Sequence, residues 1–230
     1  MDIILVPGLW LAGSVWADVA SDLEAQGHRP LPVDLPGQGA GESSTVTLED
    51  QVAAVVGAVD AAEGRVMVVG HSAAVNLAWI AADRRPDKVA QVVLIGGFPL
   101  ADGETHMASL EPTDGVVPFP GWEPFEGPDA ADLDEEARRR FVAAAIPVPE
   151  GVTKGVVHLG DERRYEVPVM VVCPEFSPAD VRGWIEAGNI PELARARHVE
   201  LVDIDSGHWP MLTRPAELAR ILTAGLDTLS

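Results

Sequence analysis

The feature that most constrains this chain is a series of short, nearly unbroken apolar runs, separated by helical patterns and mostly stopped by glycine or proline. Ile3-Ile4-Leu5-Val6 stops at Pro7-Gly8, and Arg29 to Val33 gives way to Asp34-Leu35-Pro36-Gly37-Gln38-Gly39. Arg65 to Val69 runs straight into Gly70-His71-Ser72, and Gln91 to Ile95 forms a further run. Two more follow late in the chain, Val167–Cys173 and Val199–Ile204. A strand that is apolar at every position is buried on both faces, which a parallel sheet covered by helices provides. The intervening segments carry helical spacing: Trp16, Val19, Ala20 and Leu23 in one, Val52, Val55, Val56 and Val59 in another. Thr47 with Asp50 reads as a capping box opening that second helix. Further helices are expected after Ser72, ending before Pro86, and from Pro178 and Pro215. The alternation predicts an α/β fold, a mostly parallel central sheet flanked by helices.

From about Phe98 to Arg164 the alternation breaks into a stretch rich in Pro and Gly, with one helix expected at Leu133 to Ala145. Its Met107, Phe119, Trp122, Phe125 and Phe141 argue against a solvated linker. The expected organisation is a core of residues 1–97 and 165–230, with 98–164 a small cap or lid insertion over one end of the sheet.

Composition narrows the function classes. Thirty-six acidic against sixteen basic side chains give a net charge of −20. Such a surface repels phosphate backbones and anionic lipid, so no nucleic-acid or membrane partner is expected. The single cysteine, Cys173, leaves no internal disulfide and no cysteine-based zinc site. No signal peptide and no membrane-spanning run is seen, and a cytoplasmic monomer or homodimer without cofactor or metal is expected.

Chemistry concentrates at the ends of four strands. In Gly70-His71-Ser72-Ala73-Ala74, a buried strand turns through one residue into a helix. That lifts the Ser72 hydroxyl above the sheet edge, and the small residues two before and two after it let the turn pack. The alternative is a serine that merely caps the next helix. Pro7-Gly8-Leu9-Trp10 ends the first strand, where backbone amides of Leu9 and Ala73 could together form an oxyanion hole. Asp205-Ser206-Gly207-His208-Trp209-Pro210 follows the last strand, and His208 there could take a proton from Ser72. Of the other five histidines, His71 lies inside the elbow, while His28, His106, His158 and His198 read as solvated or packed. After the Val167–Cys173 run, Glu175 is the carboxylate at the strand end, and it could orient His208. Asp102, Glu104, Asp203 and Asp205 remain alternatives, as does a pair without an acid.

With these pieces in view, the chain resembles the α/β-hydrolase superfamily over essentially its whole length, and within it small esterases of the methylesterase and hydroxynitrile lyase group. The resemblance rests on Pro7-Gly8-Leu9-Trp10 with Trp16, on Val172-Cys173-Pro174-Glu175-Phe176 with Val181-Arg182-Gly183-Trp184, and on Ser206-Gly207-His208-Trp209-Pro210-Met211-Leu212 with Pro215. It implies Ser72 as nucleophile, His208 as base and the Leu9 and Ala73 amides as oxyanion hole. Two positions depart: Pro7 stands where the group usually has histidine, and the group's aspartate would fall on Phe176 or Ser177. The function implied is hydrolysis of a small or medium carboxylic ester or lactone through an acyl-enzyme. Trp10, Phe98, Trp122 and Trp209 are candidates for the substrate pocket. Lyase or cyclase chemistry on the same residues, or a ligand sensor with a vestigial site, are the alternatives.

Overall fold

The structure is a computed structural model that describes residues 1–39 and 45–227. Residues 228–230, at the end of the expected core, lie outside the described part. In chain order the elements are β1 (Asp2–Val6), α1 (Ala17–Ala25), β2 (Arg29–Pro32), α2 (Leu48–Ala61), β3 (Val66–His71), α3 (Val75–Arg84) and β4 (Val89–Ile95). There follow β5 (Val116–Val117), α4 (Glu135–Ala144), β6 (Val148–Pro149) and α5 (Glu150–Thr153). The chain closes with β7 (Val169–Cys173), α6 (Pro178–Glu186), α7 (Pro191–Arg195), β8 (Val199–Asp203), α8 (Pro210–Thr213) and α9 (Pro215–Asp227).

Six strands form one sheet in the order β2-β1-β3-β4-β7-β8, and every pairing within it is parallel. The two-residue period of the strands explains why the apolar runs are continuous. Ile4, Val6, Val66, Val68, Val92, Leu94, Val169 and Val171 face one layer, which includes Val52, Val55 and Val59 of α2 and much of α3. Ile3, Leu5, Met67, Val69, Val93, Ile95, Met170 and Val172 face the other, with Val19 and Leu23 of α1 and Leu218 and Leu222 of α9. The predicted capping box is formed, with the Thr47 hydroxyl receiving the Asp50 amide and the Asp50 carboxylate receiving the Thr47 amide. The strand predicted from Gln91 begins earlier, at Val89, and the one predicted from Val167 begins later, at Val169.

The 98–164 segment is more ordered than its composition suggests. Besides α4 it carries α5, the antiparallel β5–β6 pair and a bridge from Thr105 to Val156. Strands of two residues are too short for a periodic signal, so they escape sequence reading. The segment packs on loops at the C-terminal edge of the sheet: Val117, Val148 and Val152 share a core with Leu9, Trp10 and Ala73. Polar ties reinforce the contact, since the Trp10 indole N–H donates to Val117 O (3.1 Å) and the Ile146 amide donates to Trp10 O (3.0 Å).

Candidate active site

Parallel strands point all their C-terminal ends one way, so β1, β3, β4, β7 and β8 deliver their loops to a single edge. At the end of β3 the turn is sharp. Ser72 sits at φ 54°, a left-handed conformation that costs a non-glycine residue on the order of 1–3 kcal/mol. Gly70 permits it, because a Cβ there would collide with the Ala74 carbonyl and stand 3.0 Å from Ala78 Cβ. Ser72 is half-buried, and the next residues form a helical turn whose first N–H groups have no intrahelical acceptor. Ala73 and Leu9, the two expected oxyanion donors, are both buried within one apolar cluster beside the elbow. Gln38 braces the Leu9 turn by donating to the carbonyls of Gly8 (2.9 Å) and Leu11 (2.8 Å), and Gln51 in turn donates to Gln38 (3.0 Å).

His208 and Glu175 are brought together. Nδ1 of His208 lies 2.8 Å from Oε1 of Glu175, with both side chains almost enclosed. The ion-pair geometry selects Nδ1 as the protonated nitrogen, which leaves Nε2 as the basic one. The second carboxylate oxygen, Oε2, is buried without a partner among the described residues. Burial first, and then the charge of Glu175, raise the Asp129 carboxyl above the ordinary carboxylate range. Asp102 instead accepts the Leu159 amide and Glu104 the Ala101 amide, so both are engaged elsewhere.

The end of β4 joins the two halves of the site. A Cβ at Gly96, which has φ 61°, would stand 3.0 Å from Nδ1 of His208 and 3.6 Å from Oε1 of Glu175. One at Gly97 would stand 3.0 Å from the Ser72 carbonyl. Bare backbone is therefore what lets the serine and histidine loops close on each other. Among the described residues no hydrogen bond joins the Ser72 hydroxyl to the His208 ring, a contact that commonly tightens only when substrate is bound.

The main chain around His208 is held from the insertion, which the sequence did not reveal. The His208 amide donates to Asp129 O (2.7 Å), and the Gly207 amide donates to Oδ2 of Asp132 (2.9 Å). Asp129 lies in a single 3-10 turn (Pro128–Ala130) and Asp132 in the turn after it, both too short to leave a periodic signal in the sequence. His71 is fully buried and donates from Nε2 to His208 O (2.8 Å).

Of the four expected pocket residues, three converge. Trp10 stacks edge-on against Phe119 and Phe125, and Trp122 and Trp209 join the same aromatic group. Trp209 is buried at the floor of that group and also abuts the His208 ring. Phe98 stands in a separate group with Phe176 and Trp184, because the chain leaving Gly97 turns toward α6. His158 and His198 are exposed and His28 is half-buried, whereas His106 is buried and bonded to Asn76 (3.2 Å). Among the described residues no group of three or more metal-binding side chains assembles, and no helix is long and apolar enough to cross a membrane.

Comparison with known proteins fits this architecture. A pyrethroid hydrolase of Sphingobium wenxiniae is 33% identical over 122 residues, 50% of this chain and 43% of the relative, so the match spans less than half of that protein. Methylesterase 7 of Arabidopsis thaliana is 25% identical over 250 aligned positions, covering 95% of this chain and 94% of the relative. The crystal structure of a methylesterase protein from Arabidopsis superposes with a TM-score of 0.79 at 16% identity, covering 99% of each chain. The model of the alpha/beta hydrolase family matches residues 3–221, and the chain belongs to that family.

Proposed function

We propose that this protein is a serine esterase acting on small or medium carboxylic esters or lactones, with Ser72 as nucleophile, His208 as general base and Glu175 as the acid that orients the base. The observation that carries the reading is the 2.8 Å pairing of His208 Nδ1 with Glu175 Oε1 beside an elbow serine at φ 54°. Family membership and relatives named for ester hydrolysis support it.

In the reaction, Ser72 Oγ attacks the acyl carbon while Nε2 of His208 removes its proton. The imidazolium is stabilised by the Glu175 carboxylate, and the oxyanion takes hydrogen bonds from the Leu9 and Ala73 amides, each worth about 3 kcal/mol. His208 then protonates the departing alcohol. Water, deprotonated by the same nitrogen, attacks the acyl-enzyme and releases the carboxylic acid with Ser72 restored. Residues 98–164 act as the cap, and the packed aromatic group that its Phe119 and Trp122 form with Trp10 selects the substrate. The test uses short p-nitrophenyl esters and an active-site phosphonate. A burst of nitrophenol with covalent labelling, both abolished in Ser72→Ala, supports the reading; turnover surviving in Ser72→Ala overturns it.

A further inference from the structure

His71, which the reaction above leaves without a task, touches three loops of the site: the elbow, the Leu9 turn and the His208 loop. It belongs to the elbow itself, being the last residue of β3. Its Nε2–H donates to the main-chain oxygen of His208 at 2.8 Å. Its other edge abuts the Leu9 turn so closely that a Cβ on Gly8 would stand 2.7 Å from Nδ1. The imidazole lies 4.9 Å, centroid to centroid, from the ring of His208.

Packing alone does not account for this residue. The preceding strand is Val66-Met67-Val68-Val69, and an apolar side chain would fill the same place without a polar cost. Instead Nδ1 of His71 is buried with no partner among the described residues, a penalty on the order of 1–3 kcal/mol. The remaining nitrogen makes one hydrogen bond, and that bond goes to the residue whose ring pairs with Glu175. With the Asp129 carbonyl on its amide, His208 then has both main-chain polar groups tied. Burial, and then the neighbouring His208, depress the His71 pKa well below its ordinary value, so the ring stays neutral with its proton on Nε2. A neutral His71 also adds no positive charge against the imidazolium that His208 becomes.

We propose that His71 is a positioning residue, whose Nε2–H holds the His208 main chain in register with the elbow and the Leu9 turn. The proposal rests on the esterase reading for its kinetic consequence but not for its geometry, and the test separates the two. Gln can set an amide N–H where Nε2 lies, Asn is too short to reach the His208 oxygen, and Phe fills the volume without a donor. Displacing a reacting group by about 1 Å costs on the order of 100-fold in rate, so kcat of His71→Phe and His71→Asn should fall by about that factor with KM little changed. His71→Gln should keep kcat within about threefold, since it retains the one hydrogen bond.

The readout independent of catalysis is the downfield proton resonance of the His208–Glu175 bond in NMR spectra of the full chain. It should persist in His71→Gln and broaden or vanish in His71→Asn. The Gln-versus-Asn contrast stands even where His71→Phe does not fold. Equal kcat and an unchanged resonance in His71→Gln and His71→Asn would overturn the positioning role. Turnover in Ser72→Ala would instead overturn the esterase reading, while the resonance still decides the role of His71.

Discussion

Two enclosed carboxylate sites in this molecule, a cluster and a pair, are built on opposite terms. Beside the C-terminal end of α3, Arg164 lies between Asp83 (3.1 Å) and Glu192 (2.9 Å), all three nearly sealed from solvent. Both oxygens of Asp83 take the Gly160 amide, and Oδ1 also takes the Asp161 amide and the guanidinium. Those of Glu192 take Arg164, the Trp79 indole N–H and the Tyr165 hydroxyl. At the sheet edge, by contrast, Glu175 spends one oxygen on His208 and leaves the other buried and bare. A fully bonded cluster anchors the end of the insertion to α3 and α7, and it has no free valence with which to respond to a substrate. The sparsely bonded pair is a poor brace, but it keeps a basic nitrogen available.

The largest effect that would sharpen this contrast lies in the sparse pair. Glu175→Gln should reduce kcat on a p-nitrophenyl ester by about 10⁴-fold, because the imidazole loses its enforced tautomer. Its urea midpoint should match or exceed that of the unaltered chain, since the substitution removes a buried, half-satisfied charge. A large loss of stability with activity retained would erase the distinction between the two sites. The saturated cluster should behave in reverse. Arg164→Met strands two buried carboxylates and should cost about 3–5 kcal/mol in urea denaturation, with kcat of the folded fraction unchanged.

A smaller effect concerns His106, whose Nδ1 accepts from the Asn76 amide and whose pKa burial lowers to about 4 from 6.5. Between those values the unfolded chain binds a proton that the folded chain refuses. Stability from this group is therefore complete above pH 6.5 and lost as pH falls toward 4, by on the order of 3 kcal/mol. Denaturation midpoints measured across that window should fall less steeply in His106→Gln. Smallest of all are the exposed pairs along α4, Arg139 with Glu135 (3.9 Å) and Arg140 with Glu136 (3.6 Å). Arg140→Ala should change stability by no more than about 0.5 kcal/mol, and a larger loss would mean that α4 depends on ionic contacts.

The parallel sheet was legible because both faces of its strands are covered, which makes β3 apolar from Val66 to Val69 and β4 apolar at every position but Gln91. The elbow was legible for a related reason, in that small residues must flank a serine held at positive φ. Reading Glu175 as the strand-end acid required only the position of β7, and the structure sets that carboxylate against His208. The family pattern alone would have pointed to Phe176 or Ser177. What stayed hidden depends on contacts between distant segments. Nothing local marks Asp132 as the acceptor of the Gly207 amide, Gly96 as the floor beneath His208, or Phe98 as a partner of Trp184 rather than Trp122. Arg164 reads as one more surface charge until Asp83 and Glu192, far away in the chain, close around it.

The bonds from Asp129 O to the His208 amide and from Asp132 Oδ2 to the Gly207 amide bear on any attempt to alter the range of substrates by exchanging residues 98–164 for another protein's segment. Such a graft would unmoor the His208 loop along with the aromatic group beside it. A chimera that keeps positions 129 to 132 as they are and varies only the aromatic side chains around them would separate substrate choice from turnover.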